Sequence, residues 1–248
     1  MPVDWNRRYS QQGRWTKPLR DYLIKGVGFQ PTSRTLEVGC GTGAICSDLQ
    51  LSSPGFHHGL DVNFPGLLIA TRNNLKIGFS CGNALELPFP EATFDLVYCH
   101  YFLLWVSKPL QVLKEINRIL KPGGTLLVFA EPDHKSRIDF PSDLEFLGKL
   151  QTDSLKKQGA DVSIGRKLPL LLAESGFMNI EYGVSGFQTL IKSIPEWWES
   201  EWEIIFDDLR EMMDEKELLK IKQKDRLYWE TGARVLWVPT FYARCNKF

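Results

Sequence analysis

One stretch, Arg34-Thr-Leu-Glu-Val-Gly-Cys-Gly-Thr-Gly43, restricts the fold more than any other part of this chain. The β-type run Thr35 to Val38 breaks into glycines at positions 39, 41 and 43, then into the helix-like Ala44-Ile-Cys-Ser-Asp-Leu49. That order reads as a strand, a tight turn and a helix N-terminus. Glycine reaches left-handed backbone angles and presents no Cβ to an approaching ligand. The free N–H groups at a helix start favour a polar or anionic ligand group. The stretch therefore predicts a nucleotide-like binding turn. Gly39-x-Gly41-x-x-Ala44 fits the relaxed dinucleotide fingerprint, and Asp61 lies near the distance expected for a ribose-binding acid. Glu37, two residues before the first glycine, points to a different ligand: a carboxylate there suits an ammonium or sulfonium group better than a pyrophosphate.

The following segments alternate strand and helix. His57-His-Gly-Leu-Asp61 reads as a second strand whose terminal acid points into the crevice and can take two ribose hydroxyls. Asn63 and Pro65 also look like a helix start, so Asp61 as a cap is the competing reading. A helix is expected over 63–75, a third strand over 79–84 and a fourth, Phe94 to Cys99, after the prolines of Leu87-Pro-Phe-Pro90. Pro109 to Leu120 forms a helix with Leu110, Leu113, Ile116, Asn117 and Leu120 on one face. Lys121-Pro-Gly-Gly124 then stops it ahead of a strand from Thr125 to Ala130.

Leu36 to Gly43 closely resembles motif I of the class I S-adenosylmethionine (SAM)-dependent methyltransferases. Leu87-Pro-Phe with Phe94-Asp95, and Leu120-Lys-Pro-Gly-Gly124, resemble two further marks of that family. The resemblance covers residues 34–131 by motif and 166–246 by topology. It is nearest the small-molecule, quinone-biosynthesis-like group (methyltransferase type 11). It implies an α/β, Rossmann-like seven-stranded sheet with the last strand antiparallel and helices on both faces. SAM is the implied cofactor and S-adenosylhomocysteine the product. The implied cofactor residues begin with Glu37, Gly39, Cys40, Gly41, Thr42 and Gly43. Asp61 and Val62 serve the ribose, and Asn83, Ala84 and Leu85 the adenine, where Asn83 departs from the family's more usual Asp. Cys99 and His100, at the end of strand four, complete the set.

Residues 1–33 read as an N-terminal helical segment over the cofactor site, with a helix from Lys17 to Lys25 and with Tyr9 or Trp15 either closing on the sulfonium or anchoring the segment. Residues 34–248 read as the methyltransferase domain, with helical insertions near 134–165 and 191–233. Strand six is expected over 177–190 and strand seven over 234–246. The second insertion carries Trp198 and Trp202. It reads either as a solvated helical hairpin or as a lid whose tryptophans, with Tyr101 and Trp105, face the acceptor. His100, Glu131 and His134 are the candidates for a base, needed only if the acceptor must lose a proton. Cys99-His-Tyr-Phe-Leu-Leu-Trp105 lacks the Asp/Asn-Pro-Pro-Tyr/Phe turn of base-amine methylases.

Thirty basic residues balance thirty acidic ones, so nothing global points to nucleic acid. No apolar run approaches a membrane span, and the first residues lack a signal-like apolar region. The cysteines at 40, 46, 81, 99 and 245 have no CxxC spacing and read as reduced thiols of a cytoplasmic protein, without a metal site. The expected reaction is in-line methyl transfer to a small-molecule acceptor by a monomer or homodimer. A non-catalytic SAM-binding protein, an aminopropyltransferase served by the acids after residue 196, and a protein methyltransferase are the alternatives.

Overall fold

The computed structural model describes residues 3–186 and 192–248. β1 (Arg34–Val38) runs through the middle of a sheet, with β2 (Phe56–Asp61) and β3 (Gly78–Cys81) to one side. To the other side lie β4 (Phe94–Cys99) and β5 (Leu120–Pro132), and all five strands are parallel. The last strand, β9 (Thr240–Lys247), inserts antiparallel between β5 and the edge strand β7 (Phe177–Ser185), giving the expected seven strands. The expected strand over 234–246 is divided. Val235–Trp237 (β8) pairs instead with Ile138–Phe140 (β6) as a separate ribbon. Pro239 lies between β8 and β9 and has no N–H for a ladder. The final positions assigned to strand six, 187–190, lie outside the described residues.

Along β4 and β5, Val97, Cys99, Leu126 and Val128 join one core, and Leu96, Tyr98, Leu127 and Phe129 the other. This is the two-residue period of strands covered on both faces. Helices α4 (Pro109–Ile119) and α6 (Ile164–Glu174) close the first core; α1 (Trp5–Ile24) and α2 (Ala44–Ser52) close the second. The buried face of α4 is Val112, Leu113, Ile116 and Ile119, turned from the expected one because Leu110 is only half-buried. β5 begins earlier than expected. Its register with β4 jumps from Phe94↔Leu120 to Leu96↔Thr125, so Lys121 to Gly124 form a bulge, with Gly123 at φ +77°.

Helix α1 extends twelve residues further toward the N-terminus than its apolar spacing suggests, starting at Trp5 with Asp4 as cap. Its buried positions, Gln11, Gly13, Thr16, Arg20 and Leu23, have helical spacing but are mostly polar, because they meet polar partners on other elements. Arg20 pairs with Asp48 of α2, and Gln11 exchanges hydrogen bonds of 2.6 and 2.8 Å with Ser200. Ser200 belongs to α7 (Trp198–Leu209), which forms a third apolar core with α5 (Glu145–Lys157) and α8 (Glu215–Thr231). Ile205 and Leu209 are buried there, each contributing roughly 1.5–3 kcal/mol through desolvation of its side chain. Helix α3 (Phe64–Asn73), capped by Asn63, covers β2 and β3.

Candidate active site

The turn after β1 is built by three glycines in left-handed conformations, with φ +78°, +53° and +78° at Gly39, Gly41 and Gly43. A Cβ on Gly39 would stand 2.3 Å from the Phe102 ring, and one on Gly41 2.9 Å from Tyr9. The backbone is thus pressed between two aromatic rings. Beside it opens a cavity of about 560 Å³. Glu37, Gly39, Cys40, Gly41, Asp61 and Val62 line it together with Asn83, Ala84 and Leu85 and with Tyr9, His100, Tyr101 and Trp105.

Two carboxylates dominate its electrostatics. Glu37 is buried, its Oε2 has no hydrogen-bond partner, and burial pushes its pKa up to about 8. Asp61 accepts from the Gly41 N–H at 2.7 Å and the Asn63 N–H at 2.8 Å, which fixes its orientation. Tyr9 lies close enough to Asp61 for that charge to add to burial in raising the phenol's pKa. Asn83 spends its side-chain oxygen on the Leu85 N–H at 3.0 Å.

A second cavity, about 280 Å³, adjoins the first across Trp5, Gln12, Tyr101, Trp105 and Gln158, which line both. Five of the eight tryptophans border it: Trp5, Trp15, Trp105, Trp197 and Trp237. Its polar lining includes His134, Arg137 and Glu201. Glu201 is paired with Arg8 at 2.8 Å, and that cation holds its pKa down against burial. His134 keeps a buried Nδ1 without a partner, and burial lowers its pKa to about 4.

The sequence pattern of the family described as "Methyltransferase domain" matches residues 36–128, the part carrying the glycine turn and β1 to β5. A demethylmenaquinone methyltransferase of Lactococcus lactis is 36% identical over 199 residues, spanning 72% of this chain and 77% of that protein. The chain belongs to the class I SAM-dependent methyltransferases. Two solved structures share its fold. One is described as a candidate sarcosine dimethylglycine methyltransferase from Galdieria sulphuraria (TM-score 0.62, 17% identity, 94% of this chain and 85% of that one). The other is the [4+2]-cyclase SpnF (TM-score 0.61, 20% identity, 93% and 80%). Among the described residues of this enzyme, no helix is long and apolar enough to cross a membrane.

The structure separates the expected site residues into groups. Thr42 and Gly43 stand behind the turn, outside both cavities; the Thr42 hydroxyl is buried without a partner, and Gly43 packs on Ala70 and Phe79. Cys99 is buried in the sheet core, behind the cavity wall. Trp15 borders the second cavity instead of the first, stacked edge-on against Trp197 at 6.2 Å.

Trp198 and Trp202 border neither cavity. Both are buried in the third core and donate their indole N–H groups to Asp225 at 2.6 and 2.9 Å. Helical spacing placed them on one face correctly, but that face meets α5 and α8. Trp197, one residue earlier, borders the cavity. Glu131 also lies outside both cavities. It accepts from the N–H groups of Phe102, Leu103 and Leu104 at 3.1, 2.9 and 3.2 Å, holding the loop after β4. His100 borders the first cavity, its Nε2 2.9 Å from the Thr16 hydroxyl. Only His134 of the three base candidates lines the second cavity. Gln12, Phe102 and Gln158 also line the first cavity, and no local sequence signal marks them.

Proposed function

We propose that this methyltransferase acts on a small hydroxylated aromatic ring, with SAM in the larger cavity and the acceptor in the tryptophan-lined one. The observation that carries this reading is the adjacency of the two cavities across Tyr101 and Trp105. One opens on the glycine turn and an acid with one unpartnered oxygen, and the other offers indole faces to a flat apolar ring. The Lactococcus lactis relative, named for a quinone acceptor, supports the same class.

The residues present suit SAM. Glu37 has a buried oxygen that no protein group satisfies, suited to the ligand's cationic amino-acid part. Each Asp61 oxygen uses one lone pair on a backbone N–H and keeps another for a ribose hydroxyl. Leu85 offers an apolar surface to the adenine, and the Tyr9 ring roofs the turn beside the sulfonium. When bound, SAM supplies an electrophilic methyl group on a good leaving group. The protein's task is then alignment, which can supply roughly 7–11 kcal/mol of barrier reduction. Phe102 and the loop tied down by Glu131 set the wall along which the rings align. His134, held neutral by burial and by the Arg137 charge, offers Nδ1 as a hydrogen-bond acceptor for the acceptor's hydroxyl. Helix α1 and the α5/α7/α8 layer act together as one lid, joined by Arg8–Glu201 and Gln11–Ser200.

An amine acceptor fits less well. Of the two acids bordering the second cavity, Glu201 is already satisfied by Arg8, which an ammonium group would have to displace, and Asp208 accepts from Gln158 at 3.0 Å with its pKa raised by burial. Among the other acids after residue 196, Glu199 and Glu203 pair with Lys222 and Arg7 at the surface. The five free cysteines fit a cytoplasmic enzyme. The test is an acceptor screen with SAM, comparing naphthalenediols, catechols and small amines, with products identified by mass spectrometry. Methylated naphthalenediol is expected; turnover of amines alone would reject this acceptor class.

A further inference from the structure

The acceptor cavity contains a guanidinium far more tightly held than a cavity wall requires. The Arg137 side chain is only 7% exposed. Its Nε and Nη2 donate to the two oxygens of Asp139 at 2.6 and 3.2 Å, and its Nη1 donates to Gln151 Oε1 at 2.6 Å. A guanidinium has five N–H donors. Two therefore have no acceptor among the described residues, on a side chain that borders the cavity.

The support behind it is continuous. Asp139 also accepts from Arg234 Nη2 at 2.8 Å. Arg234 Nε donates to Asp225 at 2.7 Å, and Asp225 takes the indole N–H groups of Trp198 and Trp202. Arg234, Asp225 and Asp139 are all buried. Helix α5 is shaped to admit the pair: a Cβ on Gly148 would stand 2.1 Å from Asp139 Oδ2 and 2.8 Å from Arg137 Nε. One chain of alternating charges thus runs from the third core to the cavity wall. His134, whose Nδ1 is buried and unpartnered, lines the same cavity, and the Arg137 charge is among the causes that lower its pKa.

We propose that Arg137 and His134 form an oxygen-recognition subsite, which takes a keto or phenolic oxygen of a planar aromatic acceptor, and that Asp139, Arg234 and Asp225 are positioning residues for Arg137. The inference rests on the assignment of this cavity to the acceptor. Charge selects the oxygen type. Arg137, Asp139, Arg234 and Asp225 alternate in sign and cancel, and Arg8 cancels Glu201. A carboxylate on the acceptor would add an uncompensated negative charge in a cavity already bordered by ionised Glu201 and by Asp208. A neutral oxygen satisfies the two spare donors without that cost. An acceptor lacking the oxygen leaves them desolvated and unpaired, the situation in which binding sites discriminate most strongly.

The experiment uses the full-length enzyme saturated with S-adenosylhomocysteine, reading indole fluorescence quenching by 2-methyl-1,4-naphthoquinone and by 1,4-dimethylnaphthalene. Wild type is expected to bind the oxygenated probe roughly 10–100-fold more tightly, the range of one or two charge-assisted hydrogen bonds. Arg137→Gln and Arg137→Lys should abolish most of that ratio while leaving the hydrocarbon's affinity unchanged. Arg137→Lys keeps a cation for Asp139 and guards against simple misfolding. Asp225→Asn should lower the ratio without touching the hydrocarbon's affinity, which mere loss of packing would not do. Equal binding of both probes by wild type, or a ratio unchanged in both Arg137 variants, overturns the subsite while leaving the cavity assigned to the acceptor. Binding of neither probe overturns that assignment, and the subsite with it.

Discussion

Glu37→Gln is expected to make the ligand-free protein more stable and its SAM binding weaker, with the two effects separable by pH. In the ligand-free protein Glu37 is buried, one oxygen has no partner, and its pKa stands near 8. The unfolded chain returns it to the usual value near 4.3. The folded state therefore binds more protons than the unfolded one between those values, and stability falls as pH rises through the window. At pH 7 this penalty is at most about 4 kcal/mol, from roughly 2.7 pH units at 1.36 kcal/mol each. The glutamine variant lacks it, so the Tm of the variant should exceed that of wild type at pH 7 and the gap should close toward pH 4.5. Binding runs the other way. A cationic ligand selects the carboxylate, which must release a proton to form below pH 8. Wild-type affinity should rise roughly tenfold per pH unit from pH 6 to 7.5. Above that range the ligand's own amino group, near pKa 7.7–8.0, begins to lose its charge. The assay is calorimetric titration with SAM in buffers of different ionisation enthalpy, which also counts the protons released. A glutamine variant with wild-type affinity and the same pH slope would refute the reasoning.

Other expectations follow from single contacts. Asp61→Ala should weaken SAM at least tenfold in the same titration, since it removes both the ribose acceptor and the anchor of the Gly41 N–H. Trp198→Phe should cost roughly 1–3 kcal/mol in denaturant unfolding by stranding part of buried Asp225, with little change in acceptor KM, whereas Trp197→Ala should raise that KM. At pH 5 or below, Glu131→Gln should destabilise the loop at 102–104 by about 1–3 kcal/mol. Burial raises the Glu131 pKa to about 7, so the wild-type advantage is full below about pH 4.3 and shrinks as pH rises toward 7, which melting curves at pH 5 and 8 would reveal.

Backbone chemistry made much of the fold legible. Gly39, Gly41 and Gly43 fix a turn whatever surrounds them, and Lys121 to Gly124 mark the entry to β5 even though they form a bulge within it. Side-chain direction was less legible. Spacing puts Trp198, Trp202, Ile205 and Leu209 on one stripe of α7, but only the presence of α5 and α8 shows that this stripe is core. Glu131 bonds to amides 27 to 29 residues away, a relation no local pattern carries. The first half of α1 escaped because its inward positions are glutamine, glycine, threonine and arginine, which a hydrophobic period does not detect.

Helix α1 borders both cavities, with Tyr9 over one, Arg8 and Trp15 in the other, and Trp5 and Gln12 at both. Its far side is clasped to α7 by Arg8–Glu201 and Gln11–Ser200. The two ligands thus share one door. Displacing α1 to exchange the nucleoside disturbs the aromatic wall against which the second ligand rests, and a seated second ligand resists that displacement. Steady-state kinetics should accordingly show compulsory order, with the nucleoside entering first and leaving last. Product inhibition by S-adenosylhomocysteine should be competitive with SAM and noncompetitive with the methyl acceptor.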